Sequence, residues 1–402
     1  MVKNVYPLLI VLATICGSLH GEDWPCWRGP QYDGISRETS VTLPWKESPK
    51  VLWELPTGPA FSGITGLGDL VYTCGTEADK QVVFCLNAGT GEVVWKKAFA
   101  EGVKDRLGGD GPRATPTIAD GKVYILGGEG TLLCADAKTG DEVWTRKFNA
   151  APTWKYSGSV LIEGNLAVVS PGGEDGGLMA LDKENGNVVW KGGEDGAGYA
   201  TPYPFDFEGG RYIVGFLAKT AVIVDAKTGR EVWSMPWVTR YDVNASTPIF
   251  HDGHLFFSSG YGHGCILLKL AAEGDRLTST TVWEGGTIAN KFHTCILLEG
   301  KLYGADERNL KCVDFLTGEV AWTKDEVDGD GTKHATLLLC QGQFIYLSEK
   351  GQLSVAKASP TGFEAAGSTR VLSGRCWTVP TLHNGRLYVR NLEKLVCLDL
   401  GG

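Results

Sequence analysis

The sequence has few of the patterns that mark nucleic-acid-binding proteins and the common enzyme classes. No block of Lys or Arg occurs, and the formal net charge of −9 argues against nucleic acid as a partner. No P-loop, zinc-binding motif or nucleophile elbow is present. No long stretch repeats its apolar residues with a period of 3.6, so a helical fold is not expected.

The N-terminal apolar run is too short for a membrane-spanning helix, which needs about 20 residues. This run, residues 5–15, follows Lys3 and precedes small residues. The arrangement predicts a secretory signal over residues 1–21, cleaved near Ser18 or Gly21. We therefore expect a secreted or periplasmic bacterial protein without a transmembrane span.

One motif occurs five times in the chain: AGTGEVVW at 88–95, AKTGDEVW at 137–144, KENGNVVW at 183–190, AKTGREVW at 226–233 and FLTGEVAW at 315–322. An Asp or Asn stands eight residues before each Trp. The first four Trp are separated by 49, 46 and 43 residues, which is the range of four-stranded propeller blades.

Each part of the motif has a physical role in a blade. The Asp or Asn side chain accepts hydrogen bonds from backbone N–H groups two or three residues later and so starts a turn. The Gly supplies the positive φ that a tight hairpin needs. The Trp is then carried on a strand to a position where its indole packs on the next blade.

The same pattern predicts eight inner strands, which begin near Phe61, Arg113, Tyr156, Tyr199, Ala245, Phe292, His334 and Trp377. Blades 5 and 7 are irregular, with Lys269 and Lys357 at the Asp position. The last blade ends at Leu400 without its Trp strand, and residues 50–58 carry a matching strand at the other end. An N-terminal strand that closes the ring would remove the unpaired edge.

The predicted fold is therefore all-β, an eight-bladed β-propeller with tryptophan-docked four-stranded blades, closed by an N-terminal strand. Residues 22–48 form an N-terminal extension and residues 49–402 form the propeller. Seven Trp are predicted to be structural: Trp53, Trp95, Trp144, Trp190, Trp233, Trp283 and Trp322.

The cysteines are not expected to form a disulfide framework. Cys16 follows Ile15, where a lipoprotein signal requires a small residue, so lipidation is not expected. Sheets that pack face to face lie about 10 Å apart, beyond the ~7 Å between Cα atoms that a disulfide tolerates. Equivalent cysteines in different blades are therefore predicted to be small core residues: Cys85, Cys134, Cys312 and Cys397.

The repeated Asp-x-x-x-Gly-x-x-x-Trp pattern resembles the PQQ-like (pyrroloquinoline-quinone repeat) β-propeller family from about residue 50 to 400. The leading DWPCWRGPQYDGIS at 23–36 resembles the start of secreted bacterial members. The family includes BamB-type outer-membrane assembly lipoproteins, to which the chain is similar in size, and quinoprotein dehydrogenases. Fold alone does not choose between these functions.

The dehydrogenase resemblance would imply PQQ held beside Ca²⁺, with Glu174, Asp175, Asp242 and Asn244 as candidate oxygen ligands in loops. Against it, the sequence has no adjacent cysteine pair and is shorter than those enzymes. No cofactor and no metal site are therefore expected. A carbohydrate-active lyase or hydrolase is a third possibility, but no acid/base pair is identified.

The loops that lead into the inner strands are expected to converge on one mouth of the channel. Aromatic faces and converging cations on a concave surface are what a ligand site needs. The candidate ligand-binding residues are Arg113, Lys155, Tyr156, Tyr199, Asp242, Asn244, Tyr261, His263, Lys291, Lys333, His334 and Trp377. Alternatively, the aromatics plug the throat, and His293 and His334 are satisfied structural histidines.

We therefore predict a monomeric binding or scaffold module. Its expected partner is a small anionic or ring-bearing ligand, or a protein or peptide such as an acidic peptide end. The alternative is a PQQ-dependent alcohol or sugar dehydrogenase.

Overall fold

The structure, a computed structural model, describes residues 21–401. The predicted signal peptide, its cleavage after Ser18 and Cys16 lie outside the described residues. Eight four-stranded antiparallel blades form a closed ring, which confirms the predicted eight-bladed β-propeller.

The strands of each blade follow one another in the chain. Blade 1 contains Thr65–Leu67, Leu70–Glu77, Lys80–Asn87 and Val93–Glu101; blade 2 contains Thr117–Ala119, Lys122–Leu126, Thr131–Asp136 and Glu142–Lys147. Blade 3 contains Leu161–Glu163, Leu166–Val169, Leu178–Asp182 and Val188–Gly192; blade 4 contains Tyr203–Phe207, Gly210–Phe216, Thr220–Asp225 and Glu231–Pro236.

Blade 5 contains Ile249–His251, His254–Ser259, Gly264–Glu273 and Arg276–Gly285; blade 6 contains Ile296–Leu298, Lys301–Ala305, Leu310–Asp314 and Val320–Lys324. Blade 7 contains Thr336–Cys340, Gln343–Leu347, Gln352–Lys357 and Ala365–Arg370; blade 8 contains Thr381–His383, Arg386–Arg390, Lys394–Asp399 and Lys50–Pro56. The remaining elements are the short strand Ile35–Ser36, the hairpin Glu326–Val327 with Asp330–Gly331, and the 3₁₀ turns Gly173–Asp175 and Arg240–Asp242.

The ring is closed as predicted, because the N-terminal strand Lys50–Pro56 pairs antiparallel with Lys394–Asp399 and completes blade 8. Trp53 lies opposite Cys397 in this pairing. The outer strand of the last blade therefore comes from the N-terminal side of the chain.

The Trp residues dock successive blades together. The indole N–H of six Trp donates to a backbone carbonyl of the next blade: Trp53 to Ala88, Trp95 to Ala137, Trp144 to Lys183, Trp190 to Ala226, Trp283 to Phe315 and Trp322 to Ser359. The motif Gly lies against the ring of the preceding blade. At Gly186, with a φ of 74°, a Cβ would lie 2.8 Å from the Trp144 ring, so glycine is required twice over.

The repeated cysteines pack in the blade cores. Each lies across the strand pair from a Tyr: Tyr72 and Cys85, Tyr124 and Cys134, Tyr303 and Cys312, Tyr388 and Cys397. All ten cysteines of residues 21–401 are buried and unpaired. Burial raises the pKa of the Cys85 and Cys134 thiols to about 12, so these thiols are protonated and unreactive near neutral pH.

The first strand of each blade begins later than the sequence predicted. Blade 1 was expected to start near Phe61, but its first strand begins at Thr65. The intervening residues bond to the neighbouring blade instead: the N–H of Gly63 donates to Thr115 Oγ1 at 3.1 Å, and the N–H of Thr115 donates to Ser159 Oγ at 3.0 Å. The predicted starts therefore lie in loops around the mouth.

Residues 22–48 cross the centre of the ring. Trp24 forms a backbone bridge to the first strand of blade 1, and Ile35–Ser36 pairs in parallel with the first strand of blade 7. Glu38 accepts the N–H of Gly385 in blade 8 at 3.0 Å. All three contacts lie near the hairpins that join first and second strands, so this segment lies across one end of the channel.

Between residues 21 and 401, no helix is long and apolar enough to cross a membrane.

Candidate functional site

A cavity of about 260 Å³ lies in the channel, among the loops that lead into the inner strands. Six of the eight predicted mouth positions line it: Phe61, Arg113, Tyr199, Ala245, Phe292 and Trp377. Its aromatic wall consists of seven residues: Trp27, Phe61, Trp154, Tyr199, Tyr261, Phe292 and Trp377. Apolar walls with a few polar groups are typical of small-molecule sites.

Trp27, from the segment that crosses the channel, forms the inner end of the cavity. Its indole Nε1 donates to Thr247 Oγ1 at 3.1 Å, just before blade 5. The next residue, Arg28, is buried and donates to the carbonyl oxygens of Thr294 and Cys295 at 3.1 and 2.8 Å. The N-terminal segment is therefore bonded to the loops that form the cavity wall.

A cluster of rings forms the wall between blades 6 and 8. Trp377 stacks on Phe61 with ring centroids 5.5 Å apart and lies 4.9 Å from Phe292. Behind them, His334 packs against Phe292, and Glu349 accepts the indole N–H of Trp377 at 2.8 Å. These contacts fix the ring faces, so the wall is formed before any ligand binds.

Lys291 places an ammonium group on this aromatic wall. Its Nζ lies 4.7 Å from the ring centre of Tyr261 and 5.3 Å from that of Phe292. Burial lowers the pKa of Lys291; Glu307 opposes this shift and Lys333 adds to it. Within residues 21–401, no carboxylate lies within 4.0 Å of this ammonium. Its charge is therefore balanced only by ring faces and by more distant carboxylates.

Arg113 also lines the cavity, but its charge is already neutralised. Its guanidinium bonds Asp105 at 2.8 Å and the carbonyl oxygen of Gly111 at 2.6 Å, and both side chains of the ion pair are only 11% exposed. Burial lowers the pKa of Arg113, and Asp105 opposes that shift. The pair contributes a polar surface of little net charge.

Two cavity residues carry buried polar atoms without a partner among residues 21–401. His293 is 8% exposed, and neither its Nδ1 nor its Nε2 makes a hydrogen bond of good distance and angle, although the backbone of His334 is close enough to oppose the lowering of its pKa. The Nε1 of Trp154 is likewise unpartnered. His293 therefore lacks the strong hydrogen bonds expected of a satisfied structural histidine. His334 is satisfied at Nδ1, 3.3 Å from Glu349, but not at Nε2.

Two of the tyrosines predicted at the mouth, Tyr199 and Tyr261, line the cavity. The hydroxyl of Tyr199 accepts the backbone N–H of Trp154 at 3.2 Å. Tyr261 packs edge-on against Tyr241, with centroids 5.4 Å apart. These rings close the side of the cavity formed by the loop before blade 4 and the turn between the second and third strands of blade 5.

Three predicted residues lie away from the cavity because they have other partners. Tyr156 is 1% exposed, in the core, where its hydroxyl donates to the carbonyl oxygen of Pro171 at 2.9 Å. Lys155 pairs with Glu129 at 3.2 Å. His334 is buried behind Phe292.

Four further predicted residues also lie outside the cavity lining. His263 is exposed and stacks on Trp237 at 4.5 Å, and Lys333 is exposed. Asp242 belongs to the turn Arg240–Asp242. Asn244 is fully buried, and its amide bonds the carbonyls of Leu217, Ala218 and Trp237 and the hydroxyls of Thr239 and Ser259.

The four candidate calcium ligands do not form a site in the cavity. None of them lines it, and Asn244 has no free oxygen or nitrogen. Glu174 and Asp175 lie in the outlying turn Gly173–Asp175, where Asp175 is near Lys191. In the described part of the chain, no group of three His, Cys, Asp or Glu is arranged to hold a metal. The residues present do not fit a PQQ–Ca²⁺ site.

The sequence reasoning missed Trp27, Asp105, Leu107 and Trp154, which all line the cavity. Trp27 belongs to the extension, which has no repeat to indicate its position. The other three lie in loops between blades, and the irregular stretches 104–111 and 152–158 were the only signal for them.

A profile of the PQQ-like repeat family, described as outer membrane protein assembly factor BamB, matches residues 46–153 and 79–324. The match extends over more than half of the chain. The chain belongs to this PQQ-like repeat β-propeller family. Outer membrane protein assembly factor BamB of Burkholderia pseudomallei is 24% identical over 234 residues, which cover 46% of this chain and 57% of that protein.

The chain is also similar to an enzyme of the same repeat type. Quinoprotein ethanol dehydrogenase of Pseudomonas putida is 30% identical over 145 residues, 32% of this chain and 23% of that protein. Among solved structures, BamB from Moraxella catarrhalis superposes with a TM-score of 0.61 at 17% identity, covering 88% of this chain and 98% of that one. The matched segments span about half the length of the curated BamB relatives.

Proposed function

We propose that this propeller is an extracytoplasmic binding module whose ligand is a compact, ring-bearing organic anion held in the central cavity. The observation that carries the proposal is the Lys291 ammonium, which stands on an aromatic wall with no carboxylate of residues 21–401 within 4.0 Å. A ligand carboxylate would supply the missing negative charge, and its ring would stack on Trp377 or Phe61. The BamB relatives support a location at the outer membrane.

The size of the cavity also favours a small ligand. An engineered apolar cavity of about 150 Å³ is known to hold benzene. A cavity of about 260 Å³ has room for roughly two fused rings. A peptide end would enter only as far as Trp27.

A scaffold role toward proteins is the second candidate, and exposed apolar side chains near the mouth favour it. Leu107 is 79% exposed, Val238 60% and Tyr241 49%. Tyr241 packs on Trp154 and Tyr261 of the cavity wall, and exposed apolar groups around a cavity are typical of interaction surfaces. The BamB relatives are named for an assembly function, which supports a protein partner for this chain.

The dehydrogenase alternative has weaker support from sequence. The match to quinoprotein ethanol dehydrogenase covers 32% of this chain and 23% of that enzyme, against 46% and 57% for BamB of Burkholderia pseudomallei. The one carboxylate that lines the cavity, Asp105, is bonded to Arg113. The cavity therefore lacks the set of free oxygen ligands that Ca²⁺ requires, and we derive no reaction step.

The test is calorimetric titration with 2-naphthoate, using neutral 2-naphthylmethanol as the uncharged control. We expect 2-naphthoate to bind and Lys291→Gln to weaken it by about tenfold or more, because a hydrogen bond to a charged group contributes about 1.5–3 kcal/mol. Lys227→Gln is the matched control: this exposed lysine lies in the turn before the last strand of blade 4 and does not line the cavity, so affinity should not change.

Two results would contradict the proposal. One is that 2-naphthoate and 2-naphthylmethanol bind equally well, or that neither binds. The other is tight, Ca²⁺-dependent uptake of PQQ in a visible spectrum, which would favour the dehydrogenase alternative.

A further inference from the structure

Within residues 21–401, two side chains on the cavity wall carry buried polar atoms without a hydrogen-bond partner, and this is unusual for buried polar atoms. They are the imidazole of His293 and the indole N–H of Trp154. His293 stands before blade 6 and Trp154 before blade 3, three blades apart in a ring of eight. The two groups therefore approach the cavity from different walls.

A second buried histidine of the ring, His383, differs from His293 in its surroundings. His383 is fully buried, and its Nδ1 and Nε2 lie 3.0 and 2.8 Å from the carbonyl oxygens of Glu22 and Gly68. An unsatisfied buried group destabilises a protein, whereas an apolar group of the same shape does not. His293 therefore gives the empty fold no advantage that Phe would lack.

The protonation state of His293 defines what it would bind. Burial lowers the pKa of His293 to about 3, so the imidazole is neutral at physiological pH. A neutral imidazole offers one donor and one acceptor. A hydroxyl group matches both. The indole of Trp154 is only a donor and matches a carbonyl or carboxylate oxygen.

We propose that His293 and Trp154 form a polar subsite that selects ring-bearing anions with a hydroxyl group, namely hydroxyaryl carboxylates. The inference rests on the proposed function, because the subsite belongs to the same cavity. Lys291 would pair with the carboxylate of the ligand, the aromatic wall would stack on its ring, and His293 would form a hydrogen bond with its hydroxyl group.

The experiment compares 2-naphthoate with 6-hydroxy- and 7-hydroxy-2-naphthoate by calorimetry. We expect at least one hydroxy acid to bind the parent protein about five- to tenfold more tightly, which is the usual worth of one hydrogen bond. His293→Phe should abolish this preference and leave 2-naphthoate affinity within about twofold. Trp154→Phe should weaken all three acids.

A melting measurement separates a subsite from a structural histidine. His293→Phe should keep or raise the melting temperature, because it removes unsatisfied atoms. The matched control, His383→Phe, should lower it, because it removes the imidazole N–H donor from a buried backbone carbonyl.

The outcomes are distinct. If 2-naphthoate does not bind, the proposed function fails and takes this inference with it. If 2-naphthoate binds through Lys291 but neither hydroxy acid is preferred, the inference alone fails. A fall in melting temperature for His293→Phe equal to that for His383→Phe would also overturn it.

Discussion

The indole Nε1 of Trp27 donates to Thr247 Oγ1 at 3.1 Å, although 220 residues separate them. The N–H of Thr247 in turn donates to Thr294 Oγ1 at 2.8 Å, and Arg28 donates to the carbonyl oxygen of Thr294. The extension and the loops of blades 5 and 6 thus share one hydrogen-bond network. The inner end of the cavity is set by a segment outside the repeats.

Replacing Trp27 should change the size of the ligand that fits. Trp27→Ala removes the ring at the inner end of the cavity, so anthracene-2-carboxylate should bind the variant and not the parent, by calorimetry. Trp24→Ala is the control: Trp24 is 2% exposed and away from the cavity, so it should reduce stability without changing the preferred size. If both variants bind anthracene-2-carboxylate equally well, Trp27 does not limit the size of the cavity.

Arg28 should contribute strongly to stability. Its buried guanidinium donates to the carbonyls of Thr294 and Cys295, and Arg28→Leu leaves these carbonyls unpaired. We expect a loss of about 2–4 kcal/mol in the free energy of unfolding, measured by urea denaturation. Arg37, half-exposed and paired with Asp33, is the control, and Arg37→Leu should cost less than about 1 kcal/mol. Similar losses would show that the buried carbonyls find other donors.

Two Gly→Ala substitutions can measure how much the docking of Trp144 on the next blade contributes to stability. Gly186→Ala adds a Cβ 2.8 Å from the Trp144 ring at a φ of 74°, whereas Gly164→Ala has a φ of 58° and nothing within 4 Å. Both substitutions carry the strain of a positive φ, roughly 1–2 kcal/mol. The clash at Gly186 should add about 1–3 kcal/mol more. Equal unfolding free energies would argue against tight docking.

The two parts of the N-terminal region should have separable roles. Removing residues 22–56 takes away the closing strand and exposes Lys394–Asp399 as an edge, so the protein should aggregate. Removing only residues 22–48 keeps that strand. This shorter deletion should stay monomeric in size-exclusion chromatography, melt at a lower temperature and lose 2-naphthoate binding. Aggregation of both would mean that the extension, too, is needed for closure.

The blade architecture was predictable because its determinants are local and repeated. The Asp, Gly and Trp of one motif build a turn, and the indole reaches only to the next blade, as with Trp144 and Lys183. Ring closure by Trp53 followed from the same repeat. These contacts recur with the blade period and can be read from spacing.

The site was only partly predictable, because its key contacts do not repeat. Trp27 and Arg28 bond residues more than two hundred positions away. Tyr156 occupies a mouth position by alignment, yet its hydroxyl finds Pro171 in the core. The side-chain amide of Asn244 makes hydrogen bonds to five neighbouring groups and has none left for a ligand. A loop side chain points either into the cavity or into the blade core. The choice depends on such hydrogen-bond partners, and the spacing of residues in the sequence does not reveal them.

The neutral state of His293 should appear in the pH dependence of stability. Burial lowers its pKa from 6.5 to about 3 in the folded protein. Between these values the unfolded chain binds a proton that the folded chain does not, so stability falls as pH falls below 6.5. The slope from this group is at most about 1.4 kcal/mol per pH unit, and it vanishes above pH 6.5.

Urea denaturation between pH 7.5 and pH 5 measures this effect. Over that range the parent should lose about 2 kcal/mol more than His293→Phe does. Burial also lowers the pKa of His334, which interacts with His293, so His334→Phe and the double variant are measured beside them to separate the two groups. If the two proteins lose stability in parallel, the folded state takes up a proton at His293 as readily as the unfolded chain. In that case the imidazole would be charged when a ligand binds, and its match to a hydroxyl group would be lost.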